Sequence, residues 1–431
     1  MNFSNFFNNN HKRTNLPDTC RPWQRIQKTG CAPRVFRIIA WLCISATLCV
    51  DSTGHAAHHN AGILLADDTG HILYAKNDGQ QYIPASILKI LTALTALETL
   101  GPDYRFHTLA GYHPATCNLY IKGLGDPLFI SEQIQNLVNQ LSQPLKTRPI
   151  NDIILDHSFF GPEIRIPGTG GSTNPYDAPT GALSANFNTI FFKWDQFANQ
   201  FVSAEPQTPL PSLFTPEIVE SGLKTGRIIL TGIKQRIYPG LLIKAFLEQK
   251  AFKISGTIKL GRAPETGLMQ LTFTSEYPLK TAIKKMLKFS NNFMANQIML
   301  TMGALKFGTP ATCEKGVTHL KQFAATRLDI NPLVLAEGSG LSRQNRLSPR
   351  QMLKLLMAFQ PYHTLLRQQG NEFYKTGTLQ DVRTRAGYFK GKDQRLYPFV
   401  IMINGHSKGY SNIRQMLKKK VAAITASPGP L

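Results

Sequence analysis

The chain has 431 residues, of which 42% are hydrophobic and 17% are charged, so it is long enough for more than one domain with a large core. Lys and Arg outnumber Asp and Glu by 48 to 26, and the net charge of +22 favours an anionic partner, either a polyanionic wall, a membrane surface or nucleic acid. No zinc-finger pattern, RNA-binding signature or concentrated Lys/Arg block accompanies this charge, which argues against nucleic acid. Peripheral membrane association stays open.

The N-terminus carries a targeting pattern. Residues 1–33 are rich in Asn and in basic residues, and an apolar run follows at residues 38–50. A run of about 13 residues is short for a membrane span but suits the core of a secretory signal, and Ala56 and Ala57 offer a cleavage site. We therefore predict a leader over residues 1–57 and export to the periplasm. An uncleaved signal anchor and a start codon further along the chain are the alternatives, because the leader is long.

Four of the six cysteines lie in the predicted leader, and Cys117 and Cys313 remain. These two could form a disulfide in an oxidising compartment, but nothing in their spacing requires it. The sequence leaves their redox state open.

After the leader, the chain begins with two short strands and a helix. Strands at 61–65 and 72–75 flank a turn at 67–70, and an apolar helical run starts near Ser86. This order predicts an α/β domain whose first helix packs against a sheet.

The central part, residues 104–276, is mainly β. Short β-rich runs alternate with turn-rich stretches and lie at 118–122, 150–155, 189–194, 227–230 and 252–260. The stretch at 167–179 is dense in Gly, Pro, Ser, Thr and Asn and is predicted to be a loop. A mainly β segment of this length between helical regions predicts an insertion with its own core.

Helical periodicity returns after Pro278. The predicted elements are helices at 279–287, 293–300, 314–327 and 349–359, strands at 373–379, 386–389 and 397–403, and a basic helix at 412–423. We therefore predict one domain that is split between residues 58–103 and 277–425, with residues 104–276 inserted between its two parts.

Ser86 and Lys89 place a hydroxyl and an amine three residues apart at the predicted helix start. Residues at that spacing share one face of a helix, so the amine can reach the hydroxyl. A serine alcohol is a weak nucleophile until a base takes its proton, and a lysine can be that base only if burial or a nearby cation lowers its pKa. The apolar residues around Lys89 would provide such burial. A lone Ser-x-x-Lys usually marks an ordinary amphipathic helix, so the rest of the chain must decide.

Two further elements follow in order, Ser290-Asn291-Asn292 and Lys375-Thr376-Gly377-Thr378. Each is weak alone, because the chain contains decoys. The decoys are Ser221 with Lys224, a Lys-Thr-Gly at Lys224 and another at Lys28, and Ser-x-Asn at Ser172 and Ser184. Only the chosen set combines a helix start, a helix junction and a strand that is followed by a second strand.

The three elements in this order resemble the marks of the penicillin-interacting serine enzymes. Further stretches make the chain similar to the class C low-molecular-weight penicillin-binding proteins, the D-alanyl-D-alanine carboxypeptidase/endopeptidase family S13. These stretches are Lys122-Gly123-Leu124-Gly125-Asp126-Pro127-Leu128, Tyr176-Asp177-Ala178-Pro179, Ala182-Leu183-Ser184, Glu337-Gly338-Ser339-Gly340-Leu341-Ser342-Arg343 and Asn345-Arg346-Leu347-Ser348-Pro349. The resemblance covers about residues 61–406. It implies an α/β fold with a transpeptidase-like, β-lactamase-like domain, in which helices flank an antiparallel sheet, and a mainly β inserted region.

The resemblance also implies roles for the residues of the first two elements. Ser86 would attack the carbonyl between two D-alanines and form an acyl-enzyme, with Lys89 as the base. Ser290 would relay a proton to the leaving amine, and Asn292 would hold Lys89 and the substrate amide. The backbone N–H groups of Ser86 and Thr378 would form the oxyanion hole.

The third element would bind the substrate. Lys375 would disfavour protonation of Lys89 and attract the terminal carboxylate of the substrate, which Thr376 and Thr378 on either side of Gly377 would hold. The implied substrates are peptidoglycan peptides, and the implied covalent inhibitors are β-lactams. No metal or cofactor is implied, and no His-Glu-x-x-His or paired-cysteine motif is present to hold a metal.

The chain departs from the family pattern at three places. Glu337 stands where the family usually has Asp, and Asn296 stands where it usually has Glu. The interval between Phe359 and Lys375 leaves little room for a Leu-Pro and a Gly-Thr-Leu stretch. These departures bear on substrate preference more than on chemistry. The alternative functions are a wall-binding homologue without turnover and a β-lactamase or esterase on the same fold.

Overall fold

The structure is a computed structural model, and it describes residues 61–169, 177–405 and 409–426. The predicted leader over residues 1–57 lies outside these ranges. Within them, no helix is both long enough and apolar enough to cross a membrane.

The secondary-structure elements are numbered here in chain order. The strands are β1 Ala61–Ala66, β2 Ile72–Lys76, β3 Arg105–His113, β4 Asn118–Gly123, β5 Ile153–Asp156, β6 Thr189–Asp195, β7 Gln200–Ser203, β8 Thr225–Ile229, β9 Ile258–Leu260, β10 Met269–Pro278, β11 Arg367–Gln369, β12 Glu372–Leu379, β13 Val382–Lys390 and β14 Leu396–Asn404. The α-helices are α1 Lys89–Thr99, α2 Ser131–Leu145, α3 Thr215–Glu220, α4 Gly232–Gln249, α5 Leu279–Phe289, α6 Asn292–Phe307, α7 Cys313–Leu328, α8 Pro349–Phe359 and α9 Tyr410–Ile424.

A six-stranded antiparallel sheet joins the two ends of the described chain. Its order is β11-β12-β13-β14-β1-β2, so the first strand of the chain lies between the last strand and β2. One face packs against α9, through Leu417 and Val421. The other face packs against α8, and Gly62 on β1 leaves space there for Tyr82 and Pro349. The apolar run of β14 is buried almost throughout because both faces of this sheet are covered.

Helix α1 is the central helix of this part of the structure. Every residue from Lys89 to Leu97 is buried, which fits a run whose apolar residues are spread around the helix rather than along one stripe. The helix contacts α5, α6, α7 and α8. It begins one position after a 3-10 turn, Ala85–Leu88, so the predicted helix start near Ser86 is a tighter turn that continues into α1.

The central residues form two further sheets with a common core. A five-stranded sheet has the order β10-β3-β4-β5-β9, and a three-stranded sheet has the order β7-β6-β8. Helices α2 and α4 pack in the same core, through residues such as Ile134, Leu137 and Leu242. The sequence analysis did not predict these helices. The division of the chain at residues 103 and 276 stays a prediction, because membership of a sheet alone does not define an independent unit.

Candidate active site

Ser86 lies on the 3-10 turn that leads into α1, and its side chain is partly exposed. The preceding residue, Ala85, has a φ of 48°, in the left-handed region that strains a side chain with a β-carbon. The turn is therefore held by its surroundings. Thr384 on β13 provides one such contact, because its Oγ1 donates a hydrogen bond of 2.7 Å to the carbonyl of Pro84.

Lys89 is fully buried and directs its amine at Ser86. Its Nζ donates to the Oγ of Ser86 at 3.0 Å, to the Oδ1 of Asn292 at 2.6 Å and to the backbone carbonyl of Ser339 at 2.7 Å. Burial lowers the pKa of Lys89 to about 7, while the charges of Glu337 and Asp177 act in the opposite direction. The amine can therefore lose its proton near neutral pH. The main cause is desolvation, as the apolar run around it predicts, rather than the charge of Lys375.

Ser290, Asn291 and Asn292 form the junction between α5 and α6. Ser290 ends α5 in the left-handed conformation, with a φ of 57°. Asn291 caps α6 by accepting a hydrogen bond of 2.8 Å from the backbone N–H of Met294. Asn292 is the first residue of α6, and its side chain reaches Lys89. The predicted helix junction therefore brings the second sequence element to the first.

Lys375 on β12 contacts the same junction. Its Nζ donates to the Oγ of Ser290 at 2.8 Å and to its neighbouring carbonyl of Thr376 at 2.7 Å. Burial lowers the pKa of Lys375 well below its usual value, and the charge of Lys89 lowers it further. A carboxylate that enters the site would stabilise the ammonium form of Lys375, because an opposite charge offsets the effects of burial and of Lys89.

The rest of the third element borders the nucleophile. Thr376 and Thr378 are exposed on β12, while Gly377 between them is buried. A β-carbon on Gly377 would lie 2.8 Å from the backbone nitrogen of Ser86. The strand therefore passes directly over the turn that carries Ser86, and all eight predicted site residues lie around one centre.

Two groups at this centre were not assigned a role from the sequence. The carbonyl of Ser339 is the third acceptor of the Lys89 amine. The carboxylate of Asp177 lies 3.4 Å from the Nδ2 of Asn292. Both belong to stretches that carried the family resemblance, which was the only sequence signal for them.

The decoy serines Ser221 and Ser184 use their hydroxyls in local contacts. Ser221 ends α3, and its Oγ donates to the carbonyl of Ile218 at 2.6 Å. Ser184 is buried and donates to the carbonyl of Gly181. Each hydroxyl is used to close a local turn. Lys28 and Ser172 lie outside the described residues.

A cavity of about 840 Å³ opens beside Asn292. Asp177, Phe293, Asn296, Arg227 and Glu217 are among the residues that line it. Its volume lies in the range of pockets that bind small ligands or side chains. Among the described residues, no group of three or more His, Cys, Asp or Glu side chains is placed to hold a metal ion.

Ser86 is hydrogen-bonded to the buried Lys89, and a second hydrogen-bonded pair, Ser290 and Lys375, lies beside it. This arrangement defines a serine enzyme of the acyl-transfer class. The family model described as "D-Ala-D-Ala carboxypeptidase 3 (S13) family" matches residues 51–210 and 221–369, and the chain belongs to this family. The predicted resemblance is thus confirmed, and the protein is a serine-type D-Ala-D-Ala peptidase. The family match ends before Lys375. The third sequence element is therefore assigned to the site from the contacts of Lys375 with Ser290 and of Gly377 with the Ser86 turn.

Two curated relatives carry the same activity in their names. The D-alanyl-D-alanine carboxypeptidase of Actinomadura sp. (strain R39) is 24% identical over 421 residues, which cover 80% of this chain and 78% of the relative. The D-alanyl-D-alanine carboxypeptidase DacB of Haemophilus influenzae is 23% identical over 416 residues, which cover 81% of this chain and 86% of the relative.

Solved structures have the same fold. Penicillin binding protein 4 (dacB) from Haemophilus influenzae matches with a TM-score of 0.70 and 21% identity, over 84% of this chain and 96% of that chain. The penicillin G acylated predatory endopeptidase Bd3459 from Bdellovibrio bacteriovorus, in complex with an immunity protein, matches with a TM-score of 0.51 and 17% identity, over 85% and 92%. The predicted α/β fold, with helices on an antiparallel sheet, is confirmed.

Proposed function

We propose that Ser86 is the nucleophile of a periplasmic D,D-peptidase that cleaves D-Ala-D-Ala or D-Ala-diaminopimelate bonds in peptidoglycan peptides. The observation that carries the proposal is the 3.0 Å hydrogen bond between the Lys89 amine and the Ser86 hydroxyl. Lys89 has a pKa of about 7, so a useful fraction of it is neutral at neutral pH. The neutral amine accepts the Ser86 proton while Oγ bonds to the substrate carbonyl carbon.

The carbonyl oxygen becomes negatively charged as the new bond forms. The backbone N–H groups of Ser86 and Thr378 are the donors that would stabilise it. The close packing of Gly377 on the Ser86 nitrogen supports this assignment, because it keeps β12 beside the turn. A bulkier residue at position 377 would hold the two donors apart.

The C–N bond breaks when the leaving amine receives a proton. Ser290 would relay that proton, because its oxygen accepts a hydrogen bond from Lys375 and its own hydroxyl hydrogen would then point at the substrate. Water afterwards attacks the acyl-enzyme, with Lys89 again as the base, and Ser86 regains its proton. The released products are D-alanine, or an amine of diaminopimelate, and the shortened peptide.

Substrate binding is assigned to β12 and to the cavity. Lys375 would attract the terminal carboxylate, and the exposed hydroxyls of Thr376 and Thr378 would hold it. Asn292 would contact the substrate amide as well as Lys89. The cavity is lined by Asn292 as well, so the peptide that precedes the scissile bond would extend from Asn292 into it.

The predicted leader and the charge support the proposed place of action. The apolar run at residues 38–50 supports export. Residues 277–431 contain 24 Lys and Arg but only 6 Asp and Glu, so the basic surface belongs mainly to the C-terminal part. This surface would attract an anionic wall or membrane peripherally. Sedimentation with vesicles of anionic and of neutral lipid tests the membrane part, and equal recovery with both would reject it.

The function is tested by labelling and by product release. The mature protein is incubated with a fluorescent penicillin, and separately with a pentapeptide that ends in D-Ala-D-Ala and with a cross-linked muropeptide. We expect a covalent label on the wild type and none on Ser86→Ala. Retention of the label on Ser86→Ala would reject Ser86 as the nucleophile. Label without any cleaved peptide would favour a wall-binding homologue, and rapid release of ring-opened penicillin would favour a β-lactamase.

A further inference from the structure

The loop that follows α7 is organised around a buried carboxylate. Glu337 is fully buried, and its two oxygens face hydrogen-bond donors. The donors are the backbone N–H groups of Ser339, Gly340 and Ser342, the hydroxyl of Ser339, and the side-chain amides of Asn296 and Asn345. Glu337 therefore fixes the path of the loop from residue 338 to residue 342, in the way that a bound anion orders a turn.

This loop contacts the nucleophile and its base from one side. The carbonyl of Ser339 accepts the 2.7 Å hydrogen bond from Lys89. Gly340 has a φ of 81°, and a β-carbon there would overlap the carbonyl of Ala85, so the loop lies directly against the Ser86 turn. Thr92 on α1 ties the loop to the central helix by donating to the carbonyl of Gly338 at 2.6 Å. A shift of the loop would move an acceptor away from the Lys89 amine.

Helix α6 connects the same carboxylate to the second element. Asn292 and Asn296 are one helical turn apart and share a face. Asn292 accepts from Lys89, while Asn296 donates to Glu337 at 3.1 Å and accepts from the backbone N–H of Gly338 at 2.9 Å. Glu337 is thus linked, through the loop and through α6, to the Ser339 carbonyl and the Asn292 side chain, the two acceptors that hold the Lys89 amine beside Ser86.

We propose that Glu337 is a positioning residue for acyl transfer, whose carboxylate orders the loop and thereby holds the Ser339 carbonyl against the Lys89 amine. The inference rests on the proposed roles of Ser86 and Lys89 in catalysis. Other charged or titratable groups also lie close to Glu337 or Lys89. They are Asp177 beside Asn292, Lys375 on β12, and the thiol of Cys313 at the start of α7.

The charge of Glu337 has a predictable sign. It favours the ammonium form of Lys89, and burial disfavours that form more strongly, which leaves the Lys89 pKa at about 7. Replacing Glu337 by a neutral residue of the same size should therefore lower the Lys89 pKa. In Glu337→Gln, the Nε2 of the new glutamine would also face amide donors instead of accepting from them. The loop, and with it the Ser339 carbonyl, should therefore shift.

The test measures the second-order rate constant of Ser86 acylation by a fluorescent penicillin between pH 5.5 and pH 9. For Glu337→Gln we expect a plateau that is lower by about tenfold or more, together with a rising limb whose midpoint lies at lower pH. Glu337→Asp keeps the charge, so we expect the wild-type midpoint with a smaller loss of rate. A purely structural role would lower the plateau of Glu337→Gln without moving its midpoint, and that result would overturn the proposal.

The matched control is Glu372→Gln. Glu372 is also fully buried and binds Arg385 and Arg414, and it lies on the face of β12 opposite to Lys375. We expect this variant to lose thermal stability without a change of the midpoint.

If Glu337→Gln does not fold, the variant Asn296→Ala tests the proposal instead, because it removes two loop contacts and keeps the Glu337 carboxylate. We expect a lower plateau at the wild-type midpoint, and a wild-type plateau would overturn the proposal. If the wild type takes no label, the proposed function fails instead.

Discussion

The amine of Lys375 donates a hydrogen bond of 2.8 Å to the hydroxyl of Ser290, and this contact joins β12 to the end of α5. Ser290 occupies the left-handed region there, which glycine adopts without strain. The position therefore keeps a strained serine where a helix end would favour glycine. Such a choice is expected where the side chain is needed for function.

Replacing Ser290 by glycine and by alanine should separate stability from activity. Both variants lose the hydroxyl, so we expect both to lose about 100-fold or more in acylation and peptide cleavage. Ser290→Gly should be about 1 kcal/mol more stable than Ser290→Ala, because only glycine tolerates the positive φ. Thermal unfolding and penicillin labelling measure the two effects. Wild-type cleavage by either variant would contradict a proton relay through Ser290.

The rate of acylation should depend on the protonation of Lys89. Only the neutral amine can take the Ser86 proton, and the pKa of Lys89 is about 7. Acylation should therefore be slow at pH 5.5, rise through a midpoint near 7 and level off by pH 8.5. A rate that is constant across this range, or that still rises steeply at pH 9, would show that another group is the base.

Gly377→Ala should damage catalysis more than folding. A β-carbon at this position would overlap the Oγ1 of Thr384 and lie 2.8 Å from the Ser86 nitrogen. The strand would have to move away from the turn, which would separate the two oxyanion donors, and we expect at least about a tenfold loss of acylation. Gly79→Ala is the matched control, since a β-carbon there meets nothing within 4 Å. Equal activity of the two variants would contradict the proposed oxyanion hole.

The sequence predicted those parts of the site that follow from local spacing. Ser86 and Lys89 meet because they are three residues apart at a helix start, and the apolar run around Lys89 predicted its burial. The acceptor at Ser339 could not be predicted in this way, because it is a backbone carbonyl 250 residues further along the chain. Any residue type carries such a carbonyl, so no pattern of side chains marks it.

Two of the three departures from the family pattern gain a physical meaning only in the structure. Asn296 and Glu337 are 41 residues apart in the chain, and each departure was noted separately. In the fold they form a hydrogen-bonded pair, so the two exchanges act on one contact.

The helices of the central part were not predicted from the sequence for another reason. The residues of α2 that share one face, such as Ile134, Leu137, Val138 and Leu141, do have helical spacing, but the β-rich runs on either side determined the prediction.

Asp126 should make the stability of the protein depend on pH. It is buried, its Oδ1 accepts a hydrogen bond of 2.8 Å from the backbone N–H of Leu128, and burial raises its pKa to about 6. Between about pH 4 and pH 6 the folded protein thus binds a proton that the unfolded chain has released. Stability contributed by this proton is complete below pH 4 and is lost as the pH rises through 6.

Asp126→Asn should remove this dependence, because the amide oxygen can still accept from Leu128 and no charge has to be buried. A shift of about two pKa units corresponds to about 3 kcal/mol at most, so the variant should gain up to that amount relative to the wild type between pH 4.5 and pH 7.5. Asp152→Asn is the control. The bond to Lys259 lowers the Asp152 pKa, so Asp152 stays ionised across this range and its variant should show no such trend. Thermal unfolding at pH 4.5 and at pH 7.5 measures the stability of both variants relative to the wild type. A difference between Asp126→Asn and the wild type that is the same at both values would contradict a buried, protonated Asp126.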